Sequence, residues 1–186
     1  MAFVSVITAS LPEREEFRRV SQESVRRAAN ASGIRFEHVT VIDHDREGPQ
    51  TVTNRAASMA KGDWVLPLAD DDWLHDDFFQ VLTPYMDSAD VVSGWCHTTT
   101  DEWCPNMLFN ERVLRLRNFL PATALIRKSL WDQLGGYRDC GLEDWDFWKR
   151  ALDVGARFAH VPEVVWTFRI HDSNTYTLRE KDGNRG

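Results

Sequence analysis

The chain has few cysteines, no long apolar run and no excess of basic residues. Its three cysteines among 186 residues are too few for a disulfide framework. No apolar run approaches the roughly 18 residues that a membrane helix needs, and the opening apolar stretch, residues 2–8, is too short for a signal peptide. The formal net charge of −7 argues against a protein that coats nucleic acid. These absences predict a soluble protein in the reducing cytoplasm.

Length and composition suit one globular domain. A chain of 186 residues is large enough to bury about 70% of its unfolded surface. Cys96-His97 and Cys104 could supply half of a zinc site, but no second pair of ligands follows them. Zinc is therefore not the favoured interpretation of these residues.

Strand and helix patterns alternate along the first half of the chain. Apolar stretches typical of strands are separated by stretches that begin near proline and end near glycine, as helices do. This β-α-β-α-β order predicts an α/β fold with a mainly parallel sheet and right-handed crossovers. The predicted strands are 3–8, 36–42, 64–68 and 89–93, and the predicted helices are 12–31, which ends at Gly33, and 50–60, which ends at Lys61-Gly62.

The second half of the chain has a weaker pattern. Residues 94–121 show no clear periodicity, and we interpret them as a loop-rich insertion. The polar residues after Asn174 predict a frayed tail. The elements predicted between these segments are strands at 119–127 and 164–170 and helices at 128–134 and 143–154, the last with Gly155 just past its end.

Three adjacent carboxylates, Asp70, Asp71 and Asp72, directly follow the apolar run 64–68. A run of this kind is typical of a strand buried on both faces of a sheet, and open α/β sheets bind their ligands at the carboxyl ends of such strands. A divalent cation that also binds phosphate oxygens is the simplest reason to hold three like charges together. The alternative is that Asp71 or Asp72 caps a helix at 76–86.

A second acidic group opens the predicted helix at 143–154. Glu143, Asp144 and Asp146 lie in its first turn, where the helix dipole stabilises a carboxylate that must accept a proton. The alternative is that these side chains only complement the dipole of the helix. The presence of the first acidic group favours a catalytic role.

Four stretches, in their order and spacing, resemble the GT-A glycosyltransferases, and specifically the large inverting family 2 that uses nucleotide-diphosphate sugars. The resemblance runs from Val4 to about Ser173 and implies a single GT-A domain, Rossmann-like with helices flanking a mainly parallel sheet, at 1–175. Residues 1–92 would bind the donor, residues 93–175 would supply the acceptor and catalytic half, and 176–186 would be a polar tail. The stretches are Asn54 with Ala60 and 62–64, the acidic motif at 69–74, residues 125–131 with 134–137, and the Glu-Asp helix at 141–150.

The resemblance implies an inverting, metal-dependent hexosyltransferase that moves a sugar from a nucleotide-diphosphate donor to an acceptor hydroxyl. A UDP-sugar is the favoured donor. Asp144 would be the general base, and Glu143 would orient it or contact the acceptor. Mn²⁺ or Mg²⁺ would be held by Asp71, Asp72 and His171, although the division of metal and ribose contacts among Asp70, Asp71 and Asp72 stays open. The residues expected around the donor nucleotide are Thr8, Ser10, Arg14, Asp43, Asn54, Asp70 and Asp71.

Several positions depart from the family pattern or have a second interpretation. The first strand is followed by residues 8–14 in place of the frequent Pro-Thr-x-Asn-Arg turn, and Thr53 stands where an Arg often precedes Asn54. Asp43, expected to bind the nucleotide base, could instead form a strand-end turn. Trp145 and Trp148 are expected in the core, whereas Trp73, Trp95 and Trp103 are candidates for stacking on a sugar.

Two other functions remain as alternatives. A nucleotidyltransferase would also combine an α/β fold with acidic metal ligands, but the Glu143-Asp144 helix after Gly135-Gly136 argues against it. A catalytically silent module that binds a sugar nucleotide or a glycan has no chemical need for Asp144. The acceptor stays open among glycan, lipid, protein and modified nucleic acid, and its recognition is expected at 94–121.

Overall fold

A computed structural model describes residues 2–100, 104 and 106–171 of the chain. The strands are β1 (Phe3–Ser10), β2 (Arg35–Ile42), β3 (Trp64–Pro67), β4 (Trp73–Leu74), β5 (Val91–Thr98), β6 (Ala124–Arg127) and β7 (Phe158–Phe168). The helices are α1 (Glu15–Ser32), α2 (Pro49–Met59), α3 (Phe78–Leu82), α4 (Glu111–Leu116), α5 (Lys128–Leu134) and α6 (Glu143–Asp153), with 3-10 turns at Pro12–Arg14 and Thr83–Tyr85.

The strands form one sheet in the order β2-β1-β3-β6-β5-β7-β4. β1 is parallel to β2 and β3, and β5 is parallel to β7, while β6 lies antiparallel to both β3 and β5. β4 is antiparallel to β7, so β4 and β6 run against the other described strands. The prediction of an α/β fold with a mainly parallel sheet is confirmed.

Helices cover both faces of this sheet. Successive residues of β3 point to opposite sides, so that Leu66 packs with Val25 of α1 and Phe78 of α3, while Val65 packs with Ala56 of α2. All four residues of β3 are buried, as the apolar run predicted. Trp148 of α6 is fully buried in the second layer, which confirms the core prediction for it. No helix in the described ranges has the length and apolarity needed to cross a membrane.

Several predicted boundaries are wrong, and sheet pairing explains most of them. The strand predicted at 164–170 is β7, which begins at Phe158 because it pairs with β5 from Val91 to Thr98. That pairing also extends β5 into the stretch interpreted as a loop-rich insertion, and α4 occupies another part of it. The strand predicted at 119–127 shortens to β6, since Phe119 and Leu120 are buried as loop residues.

Gly62 does not end α2 as predicted. The helix ends at Met59, and Ala60 is already extended. A Cβ at position 62 would lie 2.7 Å from the carbonyl oxygen of Phe3 and from the backbone nitrogen of Ser5. Glycine is therefore required because the chain enters β3 in close contact with β1. Gly33, by contrast, ends α1 in the left-handed conformation, as predicted.

Asn54 joins α2 to the turn that precedes α6. Its Oδ1 accepts a hydrogen bond from the backbone N–H of Tyr137 at 2.9 Å, and its Nδ2 donates to the carbonyl oxygen of Tyr137 at 2.8 Å. Gly136 has a φ of 72°, and a Cβ there would overlap Asn54 Oδ1. Gly136, Tyr137 and Asn54 therefore form one structural joint.

We expect Asn54→Ala to lower the free energy of unfolding by roughly 1–3 kcal/mol, because it leaves the half-buried backbone groups of Tyr137 without their partner. Urea denaturation would measure this loss. The matched control is Arg55→Ala on the same helix, which removes only an exposed ion pair with Glu47 and should cost at most about 0.5 kcal/mol. Unchanged stability together with weaker nucleotide binding would instead make Asn54 a ligand contact.

Candidate active site

The acidic triplet lies at the carboxyl ends of β1 and β3, which meet at one edge of the sheet. The backbone N–H of Leu68 donates to the carbonyl oxygen of Ile7 at 3.0 Å, so the chain leaves β3 alongside β1. Ser10, the last residue of β1, donates its hydroxyl to Asp70 Oδ2 at 2.6 Å. The structure thus brings a predicted donor contact from the first strand against the predicted acidic motif.

Arg14 binds two of the three carboxylates. Its Nη1 lies 2.8 Å from Asp70 Oδ1 and its Nη2 lies 2.6 Å from Asp71 Oδ2. The 3-10 turn Pro12–Arg14 places the guanidinium there immediately after β1. Arg18, one turn further along α1, donates to the Ser10 hydroxyl at 2.9 Å. Arg14 therefore lies against the acidic triplet.

The segment after β7 closes the other side of the triplet. His171 Nε2 lies 2.8 Å from Asp71 Oδ2 and 3.1 Å from Arg14 Nη2. The backbone N–H of Arg169 donates to Asp72 Oδ1 at 2.9 Å, and its Nε donates to the carbonyl oxygen of Asp71 at 2.9 Å. The predicted contacts of the first strand, the acidic motif and His171 therefore lie together.

Aromatic side chains pack against Arg169 and His171, a feature that was not predicted from the sequence. The guanidinium of Arg169 lies 4.9 Å from the ring centres of both Phe17 and Trp73, and the His171 ring stacks on Phe17 with centres 5.1 Å apart. Trp73, a candidate for stacking on a sugar, thus packs against Arg169. The only sequence signal for Phe17 is its position three residues after Arg14, which places both on one helix face.

The three carboxylates are buried, with 2%, 6% and 3% of Asp70, Asp71 and Asp72 exposed. Burial raises the pKa of Asp70 against the lowering effects of the Ser10 hydrogen bond and the Arg14 charge. Burial, followed by the negative charge of Asp71, raises the pKa of Asp72 well above its usual range. Neither Asp71 nor Asp72 caps α3, whose N-cap is Asp77, so the alternative interpretation as helix caps is wrong.

The donor set suits a divalent cation that arrives with a phosphate ligand. Mg²⁺ commonly uses one or two carboxylates and takes its other ligands from phosphates and water. Asp71 and Asp72 supply such carboxylates, and Asp72 accepts a single hydrogen bond in the described part of the chain. Among residues 2–100, 104 and 106–171, no three Asp, Glu, His or Cys side chains already converge as a metal-binding group. The thiols of Cys96 and Cys104 lie 2.9 Å apart without completing a zinc site there.

Thr8 and Asp43 contact the protein backbone near the same edge. Thr8 Oγ1 donates to the carbonyl oxygen of Leu68 and lies 2.9 Å from His38 Nε2. Asp43 accepts hydrogen bonds from the backbone N–H groups of Glu47 and Gly48 at 2.9 and 3.0 Å. Burial raises the pKa of Asp43, but these hydrogen bonds outweigh it and hold the value below the usual range. Asp43 therefore forms the strand-end turn, and its contact with a nucleotide base stays a prediction.

Asp144 belongs to a second group, at the N-terminus of α6. Its Oδ2 accepts a hydrogen bond from Asn118 Nδ2 at 3.0 Å, and its Oδ1 accepts one from the backbone N–H of Trp145 at 2.7 Å. Burial raises the pKa of Asp144, the two hydrogen bonds oppose the rise, and the charge of Glu143 adds to it. A raised pKa brings the carboxyl closer to the pH at which a general base works best.

The other acidic residue in this first turn has a structural role. Asp146 forms an ion pair of 2.7 Å with Arg150, one helical turn later. Arg150 also donates to the carbonyl oxygens of Leu134 and Gly136. This pair therefore fixes α6 against the end of α5, which leaves Glu143 and Asp144 as the candidate catalytic carboxylates. The candidate sugar contact Trp103 and the predicted tail at 176–186 lie outside the described residues.

The fold is shared with solved glycosyltransferases. TarS 1–349 from S. aureus in complex with UDP-GlcNAc superposes with a TM-score of 0.74 at 16% identity, over 94% of this chain and 60% of that one. TarS 1–349 with UDP gives a TM-score of 0.73 at 18% identity, over 92% and 61% of the two chains. The chain thus spans about three fifths of the length of these TarS structures.

A second kind of glycosyltransferase shares the same fold. The catalytic domain of Drosophila beta1,4galactosyltransferase 7, in complex with xylobiose, gives a TM-score of 0.67 at 16% identity, over 95% of this chain and 73% of that one. A sequence comparison with curated proteins finds no match. The sequence profile described as "Glycosyl transferase family 2" matches residues 20–139. Because that match covers well over half of the chain and the fold is that of GT-A enzymes, the protein belongs to glycosyl transferase family 2.

Proposed function

We propose that the protein is a metal-dependent, inverting glycosyltransferase that moves a sugar from a UDP-sugar to an acceptor hydroxyl. The observation that carries the proposal is the buried acidic triplet, which meets Arg14 and His171 at the carboxyl ends of β1 and β3. The solved structures of similar fold include complexes with UDP and UDP-GlcNAc. We propose a UDP-sugar as the donor because of these complexes, and because this chain carries the acidic motif that resembles the metal motif of the family.

The first requirement of the reaction is a stabilised diphosphate leaving group. Asp71 and Asp72, with His171, would hold Mg²⁺ or Mn²⁺, which neutralises the negative charge that grows on the diphosphate. Asp71 would then exchange its ion pair with Arg14 for the cation. The guanidinium of Arg14, which also pairs with Asp70, would bind phosphate oxygens, for which its planar set of donors is suited.

The second requirement is a base for the acceptor hydroxyl. Asp144 takes the hydroxyl proton while the acceptor oxygen attacks the anomeric carbon from the face opposite the nucleotide. A single displacement of this kind inverts the configuration of the sugar. Glu143, the residue before Asp144 on the helix, orients Asp144 or contacts the acceptor. We assign recognition of the acceptor to residues 94–121. We also propose that the protein is located in the cytoplasm.

The first prediction concerns the nucleotide and the metal. Isothermal titration should show that UDP binds when Mn²⁺ is present, and that Asp72→Asn weakens this binding about 10-fold or more, because the change removes a charged ligand without changing its size. The control is Asp76→Asn, a mostly exposed carboxylate that pairs with Arg27 and should leave binding unchanged.

The same titration includes the other nucleoside diphosphates. Binding of GDP in preference to UDP would correct the donor base. Binding that does not depend on the metal would contradict the role of Asp72. No binding of any nucleoside diphosphate in the presence of metal would favour a catalytically silent member of the family.

The second prediction concerns the base. Asp144→Asn should slow sugar transfer by about 10²–10⁴-fold, because an amide cannot accept the proton, while UDP binding stays as in the wild type. Release of UDP from a panel of UDP-sugars, with water or added glycans as acceptor, measures the rate. The control is Asp153→Asn at the exposed end of the same helix, which pairs only with Arg115 in the described residues.

The dependence of activity on pH gives a further test, because the direction of its shift is predicted. The raised pKa of Asp144 predicts that activity is lost, as pH falls, at a higher pH than for an ordinary aspartate, because the base must be ionised to act. An Asp144→Asn variant that keeps most of the transfer rate would show that another group is the base.

A further inference from the structure

Asn118 follows α4 and contacts the proposed base from outside its helix. Its Nδ2 donates to Asp144 Oδ2 at 3.0 Å. Its Oδ1 is buried and has no hydrogen-bond partner within the described part of the chain. A buried carbonyl without a partner lowers stability, and most buried polar atoms avoid that state. The contact of Nδ2 with Asp144 is therefore the observation that accounts for a polar side chain at this position.

The position of Asn118 is determined by the packing around it. Leu114 of α4 and Phe119, on either side of it in the sequence, are both buried. The indole Nε1 of Trp145, the residue after the proposed base, donates to the carbonyl oxygen of Leu114 at 2.6 Å. The segment that carries Asn118 is therefore fastened to the first turn of α6, and the amide reaches the carboxylate from a fixed point.

The electrostatic surroundings of Asp144 give the amide a specific effect. Burial, and to a smaller extent the charge of Glu143 on the same helix, oppose a negative charge at Asp144. Burial, followed by the charges of Asp144 and Glu143, raises the pKa of the Tyr137 phenol in the turn after α5, so this ring lies near both carboxylates. Hydrogen bonds from the backbone N–H of Trp145 and from the side chain of Asn118 oppose these effects and favour the ionised carboxylate. Because an amide carries no charge, it can donate to the carboxylate without itself titrating near neutral pH.

We propose that Asn118 is a positioning residue for the reaction: it orients the carboxylate of Asp144 and holds it in the ionised state that accepts a proton. The catalytic meaning of this role rests on the proposed function, in which Asp144 is the base. The contact itself does not, so it can be tested on the protein alone. Asn118 does not touch the reacting atoms in this account and acts only through Asp144.

The test is a pH titration of the Asp144 carboxyl carbon by ¹³C NMR in protein labelled at aspartate. The signal is assigned from its absence in Asp144→Asn. Asn118→Ala should raise the pKa of Asp144 by about 1 unit, because a hydrogen bond to the ionised form is lost. Asn118→Asp keeps the shape but places two carboxyl groups together, so the pair should titrate in two steps, the upper one well above the wild-type value.

The matched control is Asn110→Ala on the same segment. Asn110 caps α4 by accepting a hydrogen bond from the backbone N–H of Val113 at 3.1 Å. Its loss should lower stability, as removal of a helix cap does, without moving the pKa of Asp144. A pKa that moves equally in Asn110→Ala would show that general loosening of α4, and not the Asn118 amide, is responsible, and would overturn the proposal.

A kinetic readout connects the contact to the reaction. With UDP-GlcNAc as the probe donor, the acid limb of the pH profile for UDP release should move to higher pH in Asn118→Ala by the same amount as the NMR titration. The KM for UDP-GlcNAc should stay within about two-fold of the wild type, since the donor-binding groups are untouched.

Failure of this inference and failure of the proposed function give different results. If Asp144→Asn is inactive but both Asn118 variants leave the pKa of Asp144 at its wild-type value, the positioning role is overturned and the base assignment stands. If Asp144→Asn releases UDP at the wild-type rate, the base assignment fails, and the positioning role fails with it. A raised pKa in both Asn118 variants, with an inactive Asp144→Asn, supports both.

Discussion

Burial of three adjacent carboxylates is the constraint on which the rest of this structure depends. Asp70, Asp71 and Asp72 are almost entirely removed from water, and charges of one sign so close together are costly there unless they are paired. Two segments that are far apart in the sequence offset this cost. Arg14 comes from the turn after β1, and the Arg169 backbone and His171 come from the residues after β7. The turn after β1 and the segment after β7, which are far apart in the sequence, are thereby held at the same edge of the sheet.

The two acidic groups have different electrostatic surroundings, and this separates their proposed roles. The triplet is contacted by the Arg14 guanidinium, by His171 and by hydrogen-bond donors, and in the proposed reaction a metal ion would replace one of these partners. Among the residues that the structure describes, the hydrogen-bond donors to Asp144 are neutral: the Asn118 amide and the backbone N–H of Trp145. A carboxylate held in this way keeps its capacity to accept a proton, whereas an ion pair with arginine would weaken it as a base.

The joint between Asn54 and the turn at Tyr137 shows that a family motif can be structural. Asn54 was expected near the donor nucleotide, and residues 134–137 resemble the family segment before the catalytic helix. Both polar atoms of the Asn54 amide bind the backbone of Tyr137 in that segment. The same turn receives Arg150 from α6. The motif thus fixes where α6 begins, and its effect on the proposed base is one of placement. Its residues lie far apart in the sequence because they belong to different layers of the fold.

Local pattern by itself determined the buried strand β3, the helix α5 with its predicted bounds, the glycine that ends α1 and the order of the acidic motifs. Each of these depends on residues within a few positions of one another. Only the tertiary structure decided the extent of β7, the close approach that requires Gly62, the aromatic support from Phe17 and the contact of Asn118 with Asp144. These depend on strand pairing and on packing between residues distant in the chain, and the geometry of such contacts is not encoded in the periodicity of any one segment.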